Sequence, residues 1–274
     1  MPPEVYAAIR PQGPYSLHGI ALTSAILTLT FTLSALAAVY TFRAYTASEP
    51  YEAFVIMGLE PCWPIGIYRP LSFVSMICSF HLLEFLATAQ WNPRYADRNA
   101  FLLTGNGVVY WIAIGAGLVE GILNCFFPSL ALESLLRPLL RGSWLEALVT
   151  PTLFCVALGV VFLGQLLRTI ALKHGGESFT HRIAIKKEDQ HVLVKDGVYR
   201  YIRHPSYAAF FWWALGTQLW LQNPFGLAAY TAVLYAFFKD RIDAEEALLS
   251  TDGFFGDDYR RYKKSTWSGV LGIA

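Results

Sequence analysis

The chain has 274 residues, of which 55% are hydrophobic and only 15% carry a charged side chain, and its mean hydropathy is +0.40. This composition excludes an ordinary soluble domain and is typical of an integral membrane protein. The formal net charge of +1 also argues against nucleic acid as a partner, because the chain has no basic surplus.

Apolar runs along the chain predict an all-α polytopic membrane protein with six to eight transmembrane helices. At 1.5 Å per residue, each run crosses most or all of a hydrocarbon core of about 30 Å. The predicted spans are residues 17–40, 53–68 with Pro61 and Pro64 inside it, 72–89, 101–127, 144–172, 207–221 and 224–238. Residues 128–142 leave room for a further short helix. We expect N-terminal membrane helices over residues 1–142 and a functional region over 143–274, folded together as one integrated domain.

The last two spans are joined by Asn223-Pro224, which marks a tight turn, so they should pack antiparallel. Lysine and arginine concentrate in residues 173–203 and 239–264, on one side of this hairpin. The positive-inside rule places that side, and the C-terminus, in the cytosol. Residues 175–195 are polar, and their HVLV alternation predicts short extended pieces in a small cytosolic cap.

Four ionisable residues lie inside apolar stretches: Glu60, His81, Glu84 and Glu120. Because charge is costly in lipid, we expect them to face the bundle interior and to be paired. His81 and Glu84 are three apart on one helix face. We interpret them as a packed structural pair rather than half of a metal site, because no second cluster supplies further ligands.

The four cysteines, Cys62, Cys78, Cys125 and Cys155, all lie in apolar surroundings, without CxxC or Cys/His ligand spacing. We expect small buried residues that form neither disulfides nor metal sites.

The sequence GVYRYIRHPSY, at residues 197–207, leads directly into an apolar helix and predicts a site at the membrane edge. Pro205 suits the first helical position, and it disfavours the α conformation at His204. The free amides of that first turn, near Arg203 and His204, would attract a ligand carboxylate or phosphate. The alternative is that Arg200, Arg203 and His204 only mark the cytoplasmic edge of a membrane helix.

A second group of polar residues lies in KDRIDAEEALL, at residues 239–249. Arg241 and Glu245 are four apart and share one helix face, whereas Asp243 and Glu246 point elsewhere. Because the hairpin is antiparallel, Arg241 and Glu245 should return to the level of the RHPSY turn. The alternative is an ordinary ion pair on an amphipathic helix.

These motifs, in this order, resemble the C-terminal half of protein-S-isoprenylcysteine O-methyltransferases. The resemblance covers residues 174–264 and rests on RHPSY, then R-x-x-x-E, then FG-x-x-Y-x-x-Y. It implies an eight-helix enzyme of the endoplasmic reticulum membrane, with its active site facing the cytosol. Such an enzyme methylates the C-terminal carboxylate of prenylated CaaX proteins, farnesylated or geranylgeranylated, using S-adenosylmethionine.

By position, the resemblance also implies roles for single residues. Arg241 would bind the substrate, and Arg241 and Glu245 would be the catalytic residues, with no metal. The cofactor would be lined by His191, Val192, Leu193, Val194, Tyr199, His204, Pro205, Ser206, Tyr207 and Glu245.

The chemistry of the region fits a methyl donor without a dinucleotide-type fold, since no strand is followed by GxGxxG. The helix start at Pro205 suits the donor's carboxylate, and Glu245 suits a positive group. Tyr199, Tyr207 or Trp212 would supply an aromatic face for a sulfonium. A terminal carboxylate has a pKa of about 3.3 to 3.7 and is ionised at neutral pH, so no general base is needed.

Other readings of the same residues remain. A phospholipid N-methyltransferase would share the cofactor residues, but its amine nucleophile must lose a proton. The short motif RHPxY also resembles the tails of sterol reductases, which would retain a nicotinamide cofactor. A transporter or lipid-binding scaffold would explain the intramembrane carboxylates, but it would leave the RHPSY turn and Arg241 without a function.

Overall fold

The computed structural model describes residues 16–46, 66–188 and 191–273. Within these ranges the chain is helical, and the only pairing of extended backbone is an isolated bridge between Ile202 and Trp267. The α-helices, numbered in chain order, are α1 Leu17–Thr46, α2 Tyr68–Trp91, α3 Gly107–Phe126, α4 Leu132–Leu136, α5 Val149–Gly175, α6 Pro205–Leu221, α7 Pro224–Leu249 and α8 Asp257–Ser265. The prediction of an all-α protein is confirmed.

Short 3-10 segments connect several helices. They are Pro93–Tyr95, Arg98–Phe101, Pro128–Leu130, Arg137–Leu140, Glu146–Leu148, Gly176–Ser178 and Gly197–Arg200. The predicted span at residues 53–68, together with Glu60 and Cys62, lies outside the described residues except for its last three positions. The described residues of 179–196 form no strand, although the backbone is extended at Phe179 and at Asp196.

Four of the described helices are long and apolar enough to cross a membrane: α1, α2, α3 and α5. Helix α6 lies among them, with most of its residues buried. A helix that is apolar on all sides is typical of such a central position. Helix α7 follows α6 after the Asn223 turn and packs antiparallel to it, as predicted, because Tyr207 near the start of α6 contacts Glu245 near the end of α7.

Most predicted span boundaries differ from the ends of the helices by a few residues, and three of the differences are informative. The fourth span begins at Gly107, not at residue 101, because Phe101 and Leu102 end a 3-10 turn and pack into the core. The fifth begins with a 3-10 turn at Glu146. Helix α7 does not stop at Phe238 but continues without a break through the charged run to Leu249. The further helix expected within residues 128–142 is present as α4.

Helices α5 and α6 pack closely, and Gly164 allows this contact. A Cβ built at Gly164 would lie 2.8 Å from the Cβ of Trp213 and 2.9 Å from its backbone. Small residues let membrane helices approach in this way. The cysteines follow the expectation only in part: Cys78 and Cys125 are buried, but Cys155, on the outer face of α5, is exposed.

Glu120 lies inside α3 and caps the start of α7. Its two carboxylate oxygens accept hydrogen bonds from the backbone N–H of Phe225 at 3.0 Å and of Gly226 at 2.7 Å. The first amides of a helix have no partner within the helix, and an anion there is favourable. The expectation that Glu120 is paired within the bundle is confirmed.

We therefore expect Glu120→Ala to lower the free energy of unfolding by about 1 to 2 kcal/mol, the usual cost of losing a helix cap. Thermal unfolding in detergent measures this, with Asp240→Asn, an exposed acidic residue of α7, as the control. Equal midpoints for the two variants would contradict the capping role.

Candidate active site

The RHPSY turn has the backbone conformation that its proline predicts. His204 is not helical, with φ −119° and ψ 60°, and α6 begins at Pro205. The backbone N–H of Arg203 donates to the carbonyl of Trp267 at 2.8 Å, and that of His204 donates to the carbonyl of Ser268 at 3.0 Å. The turn is therefore held by residues close to the C-terminus.

Glu246 binds the charged side chains of this turn more closely than Glu245, whose Oε2 lies 3.9 Å from His204 Nδ1. Its Oε1 accepts from Arg203 Nε at 2.8 Å and lies 3.0 Å from His204 Nε2. Its Oε2 lies 2.6 Å from Lys263 Nζ. Arg203, His204 and Glu246 are all buried. The expectation that Glu246 points elsewhere is wrong.

This network also shows where the positive charge of Arg203 is bound. The Arg203 guanidinium donates through Nε to Glu246 and through Nη1 to the carbonyls of Lys263 and Thr266. The side chain is buried, and its Nη2 has no hydrogen-bond partner among the described residues. Burial acts to raise the pKa of Glu246, but hydrogen bonds from His204, Lys263 and Arg203 outweigh it and lower the pKa to about 2. The carboxylate is ionised at neutral pH and is part of the site's framework.

Arg241 and Glu245 meet on the hydroxyl of Tyr207. Tyr207 donates to Glu245 Oε2 at 2.5 Å and accepts from Arg241 Nε at 2.9 Å. Arg241 Nη2 also donates to the carbonyl of His181 at 2.8 Å, and its guanidinium carbon lies 5.3 Å from the centre of the Tyr207 ring. The His204 and Tyr207 rings stack at 5.5 Å. The predicted convergence on the RHPSY turn is thus observed.

A buried ion pair that the sequence did not predict lies on the other side of the turn. Arg168 on α5 binds Glu84 on α2 through two parallel bonds of 2.8 and 2.9 Å. Its Nη1 donates to the hydroxyl of Ser206 at 2.5 Å and to the Ser206 carbonyl at 3.2 Å. The pair joins helices on both sides of the predicted boundary at residue 142. The sequence feature that could have predicted this pair is the position of Arg168 inside an apolar run, because a buried arginine there requires a partner.

Glu84 and His81 are buried as expected but do not bind each other. His81 Nδ1 lies 2.6 Å from the carbonyl of Phe101, and its Nε2 lies 3.1 Å from the hydroxyl of Tyr110. The interpretation as one structural pair is corrected to two separate contacts. Among the described residues, no group of three or more His, Cys, Asp or Glu side chains is arranged to hold a metal ion.

His181 lies beside this ion pair, outside the membrane helices. Its Nε2 lies 3.2 Å from the hydroxyl of Thr88, and its Nδ1 lies 3.8 Å from Glu84 Oε2. Burial lowers the pKa of His181 to about 4, although Glu84 acts in the opposite direction. The folded protein therefore keeps this ring neutral over a pH range in which an unfolded chain would protonate it.

Stability should consequently fall as the pH drops from about 6.5 to about 4. Between these pH values the unfolded state binds a proton at His181 and the native state does not. Below pH 4 this difference lowers the free energy of unfolding by about 3 kcal/mol. Thermal unfolding of wild type and His181→Gln at pH 7.5 and 5.0 tests this. We expect the glutamine variant to lose less stability on acidification, and an equal loss in both proteins would contradict the assignment.

A cleft opens between the connector after α5 and the end of α7. It encloses about 420 Å³ of empty space, part of it open to solvent. Its lining residues are Ser178, Thr180, Ala184, His191, Val192, Glu245, Leu249, Phe254 and Phe255. Glu245 faces both the cleft and Tyr207, so the cleft and the Arg241 site are adjacent.

The predicted cofactor residues divide into two groups. His191, Val192 and Glu245 line the cleft, and His204 and Tyr207 adjoin it through Glu245. The others are not among its lining residues: Leu193, Val194, Tyr199, Pro205 and Ser206. Tyr199 donates to the carbonyl of Ala171. The aromatic candidate Trp212 is 40% exposed on α6 and is not among the lining residues of the cleft.

One buried ring nitrogen of His191, a residue that lines the cleft, lacks a hydrogen-bond partner within the described part of the chain. His191 is buried, and its Nε2 has no hydrogen-bond partner among the described residues, while its Nδ1 accepts from the backbone N–H of Glu188 at 3.3 Å. An orphaned buried donor is rare in native structures. A polar ligand in the cleft would satisfy it, so the residues fit a cofactor with hydrogen-bond acceptors.

Comparison with known proteins gives a consistent result. The profile of the isoprenylcysteine carboxyl methyltransferase (ICMT) family matches residues 156–251. A protein-S-isoprenylcysteine O-methyltransferase of Schizosaccharomyces pombe is 39% identical over 208 residues, which is 76% of this chain and 86% of the relative. The corresponding Saccharomyces cerevisiae protein is 42% identical over 201 residues, covering 72% of this chain and 77% of its own.

A solved structure gives the same result for the fold. The structure of a eukaryotic intramembrane Ras methyltransferase, an isoprenylcysteine carboxyl methyltransferase, superposes with a TM-score of 0.65 at 27% identity. It covers 92% of this chain and 98% of its own. The chain therefore belongs to the isoprenylcysteine carboxyl methyltransferase family.

Proposed function

We propose that this protein transfers a methyl group from S-adenosylmethionine to the C-terminal α-carboxylate of S-prenylated cysteine in CaaX-processed proteins. The observation that carries the proposal is the joint contact of Arg241 and Glu245 with the Tyr207 hydroxyl. This contact lies beside a cleft and at the edge of an apolar helix bundle. The Arg241 guanidinium, the Glu245 carboxylate and the polar cleft thus lie together at the place that the carboxylate of a lipid-linked substrate would reach.

Arg241 is the residue that would bind the substrate carboxylate. Two of its donors are used by Tyr207 and His181, and its Nη1 has no hydrogen-bond partner among the described residues. The planar guanidinium presents five donors, so it can bind a carboxylate while keeping its own anchors. The carboxylate is already ionised at neutral pH and needs no base.

The cofactor would occupy the cleft next to Glu245. S-adenosylmethionine, when bound, supplies an electrophilic methyl group on a sulfonium. We assign His191, Val192 and Glu245 to its direct contacts, with His204 and Tyr207 closing the side towards Arg241. The remaining predicted cofactor residues would pack behind these contact residues without touching the cofactor: Leu193, Val194, Tyr199, Pro205 and Ser206. Arg241 and Glu245 are the catalytic residues of the proposal, because they would hold the two reacting partners.

Catalysis would then consist of placement and desolvation. Holding the carboxylate and the methyl group together makes a two-substrate reaction effectively intramolecular. The attack of the carboxylate anion on the sulfonium cation would neutralise both charges in the transition state. A poorly hydrated site therefore favours the reaction, because it stabilises the separated ions less. The buried framework of Arg203, His204 and Glu246 keeps water from the base of the site.

The apolar bundle would receive the prenyl chain from the bilayer, whether farnesyl or geranylgeranyl. Lysine and arginine concentrate in residues 173–203 and 239–264, on one side of the α6–α7 hairpin, and this supports a cytosolic orientation of the site. We propose, from the family resemblance, that the protein lies in the endoplasmic reticulum membrane, where prenylated CaaX proteins would be its partners.

The function is tested with the purified protein in detergent, methyl-labelled S-adenosylmethionine and N-acetyl-S-farnesylcysteine. We expect label in a base-labile methyl ester, and at least a hundredfold less with N-acetylcysteine, which lacks the prenyl group. Label entering phosphatidylethanolamine instead would overturn the proposal in favour of a phospholipid N-methyltransferase. Equal methylation of the two cysteine derivatives would overturn the role of the bundle.

A further inference from the structure

The last described residues return to the bundle instead of ending in solvent. We call residues 266–273, which follow α8, the C-terminal tail. Ser268, Val270 and Ile273 are buried, whereas Trp267 and Leu271 are 47% and 63% exposed. One side of the tail is therefore packed against the protein and the other is open.

The first half of the tail binds the RHPSY turn. The carbonyls of Trp267 and Ser268 accept the backbone N–H groups of Arg203 and His204 at 2.8 and 3.0 Å, and the carbonyl of Thr266 accepts from the Arg203 guanidinium. These two amides precede the helix and have no helical acceptor, and a buried N–H needs a partner. The tail supplies both acceptors.

The second half of the tail runs back towards the membrane. Val270 and Ile273 belong to an apolar cluster with Phe211 and Leu215 of α6, and the Tyr235 hydroxyl donates to the carbonyl of Gly272 at 3.2 Å. Tyr235 is six residues before Arg241, hence about 9 Å deeper along α7. The Ser268 hydroxyl also donates to the carbonyl of Ile273 at 2.5 Å, which folds the tail onto itself.

We propose that the C-terminal tail is a positioning element for methyl transfer. It fixes the backbone of Arg203 and His204 and thereby sets the His204 side of the cofactor cleft, without touching the reacting groups. The inference rests on the proposed function, because it assigns the tail to that same site.

Gly269 offers a variant that displaces the tail and keeps the bundle. Its φ is +104°, a conformation that other residues rarely adopt, and a Cβ built there would lie 3.0 Å from the Cβ of Ala208 and 3.6 Å from the carbonyl of His204. Gly269→Val should push the tail away from the turn. Leu271→Ala changes an exposed residue of the same tail and is the matched control.

The first experiment compares wild type, Gly269→Val, Leu271→Ala and a chain that ends at Ser265, by hydrogen exchange and by binding of S-adenosylhomocysteine. We expect Gly269→Val and the shortened chain to exchange the amides of Arg203 and His204 at least tenfold faster. Their dissociation constants for S-adenosylhomocysteine should rise at least tenfold, while helix content is retained. Leu271→Ala should match wild type.

Steady-state kinetics then separate positioning from general damage. The KM for S-adenosylmethionine should rise at least tenfold, and more than the KM for N-acetyl-S-farnesylcysteine. Adding the peptide of residues 266–274 to the shortened chain should restore cofactor binding in part. Wild-type binding without the tail overturns the inference, and so does loss of helix content in Gly269→Val. Absence of methyl ester with the wild-type protein would instead refute the proposed function. The hydrogen-exchange and binding measurements do not require ester formation, so the two failures can be distinguished.

Discussion

Arg241→Lys should lower the kcat for methyl ester formation at least a hundredfold while leaving the protein folded. Arg241 holds Tyr207 through Nε and His181 through Nη2, and the proposal gives it the substrate carboxylate in addition. A lysine ammonium is a single point charge on a flexible chain and cannot keep this forked geometry. The loss corresponds to about 2.7 kcal/mol of transition-state stabilisation.

Arg261→Lys is the matched control for this substitution. Arg261 lies on α8 in an exposed pair with Asp258, and exposed pairs of this kind contribute little to stability. The kcat of this variant should equal that of wild type. Near-normal turnover of Arg241→Lys, measured with labelled S-adenosylmethionine and saturating N-acetyl-S-farnesylcysteine, would rule out the proposed role of Arg241.

Glu246→Gln should have the largest effect on stability. Glu246 is 2% exposed, and it is bound by Arg203, His204 and Lys263. Removing one partner of a buried ion pair costs about 3 to 5 kcal/mol, since the remaining charge is left buried and uncompensated. The thermal midpoint in detergent should drop by at least about 6 °C, whereas Asp240→Asn on the same helix should leave it unchanged.

The pH dependence of this effect has a defined direction. Because the folded pKa of Glu246 is about 2, below its ordinary value of 4.5, its stabilisation is fully present above pH 4.5 and is lost as the pH falls towards 2. The difference in midpoint between wild type and Glu246→Gln should therefore be constant from pH 8 to 5 and smaller at pH 3. A difference that persists undiminished at pH 3 would show that packing, not charge, is responsible.

The sequence predicted those parts of the site that depend on local geometry. Proline fixes the conformation of its own residue and of the one before it, so the non-helical His204 and the start of α6 followed from the motif. The four-residue spacing of Arg241 and Glu245 predicted a shared face, and the Asn223 turn predicted the antiparallel hairpin that brings them to Tyr207.

The parts that failed depend on contacts between residues far apart in the chain. Glu246 differs from Glu245 by one position, and only the packing of Arg203 and Lys263 around it shows that it is the buried carboxylate. The Glu84 and Arg168 pair joins two helices whose order in the bundle no pattern in the sequence reveals. Likewise, the C-terminal tail binds Arg203 and His204 through backbone carbonyls. Every residue has a backbone carbonyl, so the sequence does not reveal this contact.

We propose above that Arg241 and Glu245 serve one methyl-transfer site at the RHPSY turn. The most direct test measures base-labile methyl ester on N-acetyl-S-farnesylcysteine for purified wild type, Arg241→Ala, Glu245→Ala and Arg261→Lys, together with their binding of S-adenosylhomocysteine. We expect ester with wild type and Arg261→Lys and almost none with the two alanine variants. Of these two, only Glu245→Ala should also lose cofactor binding. Wild-type ester formation in both alanine variants would contradict this proposal.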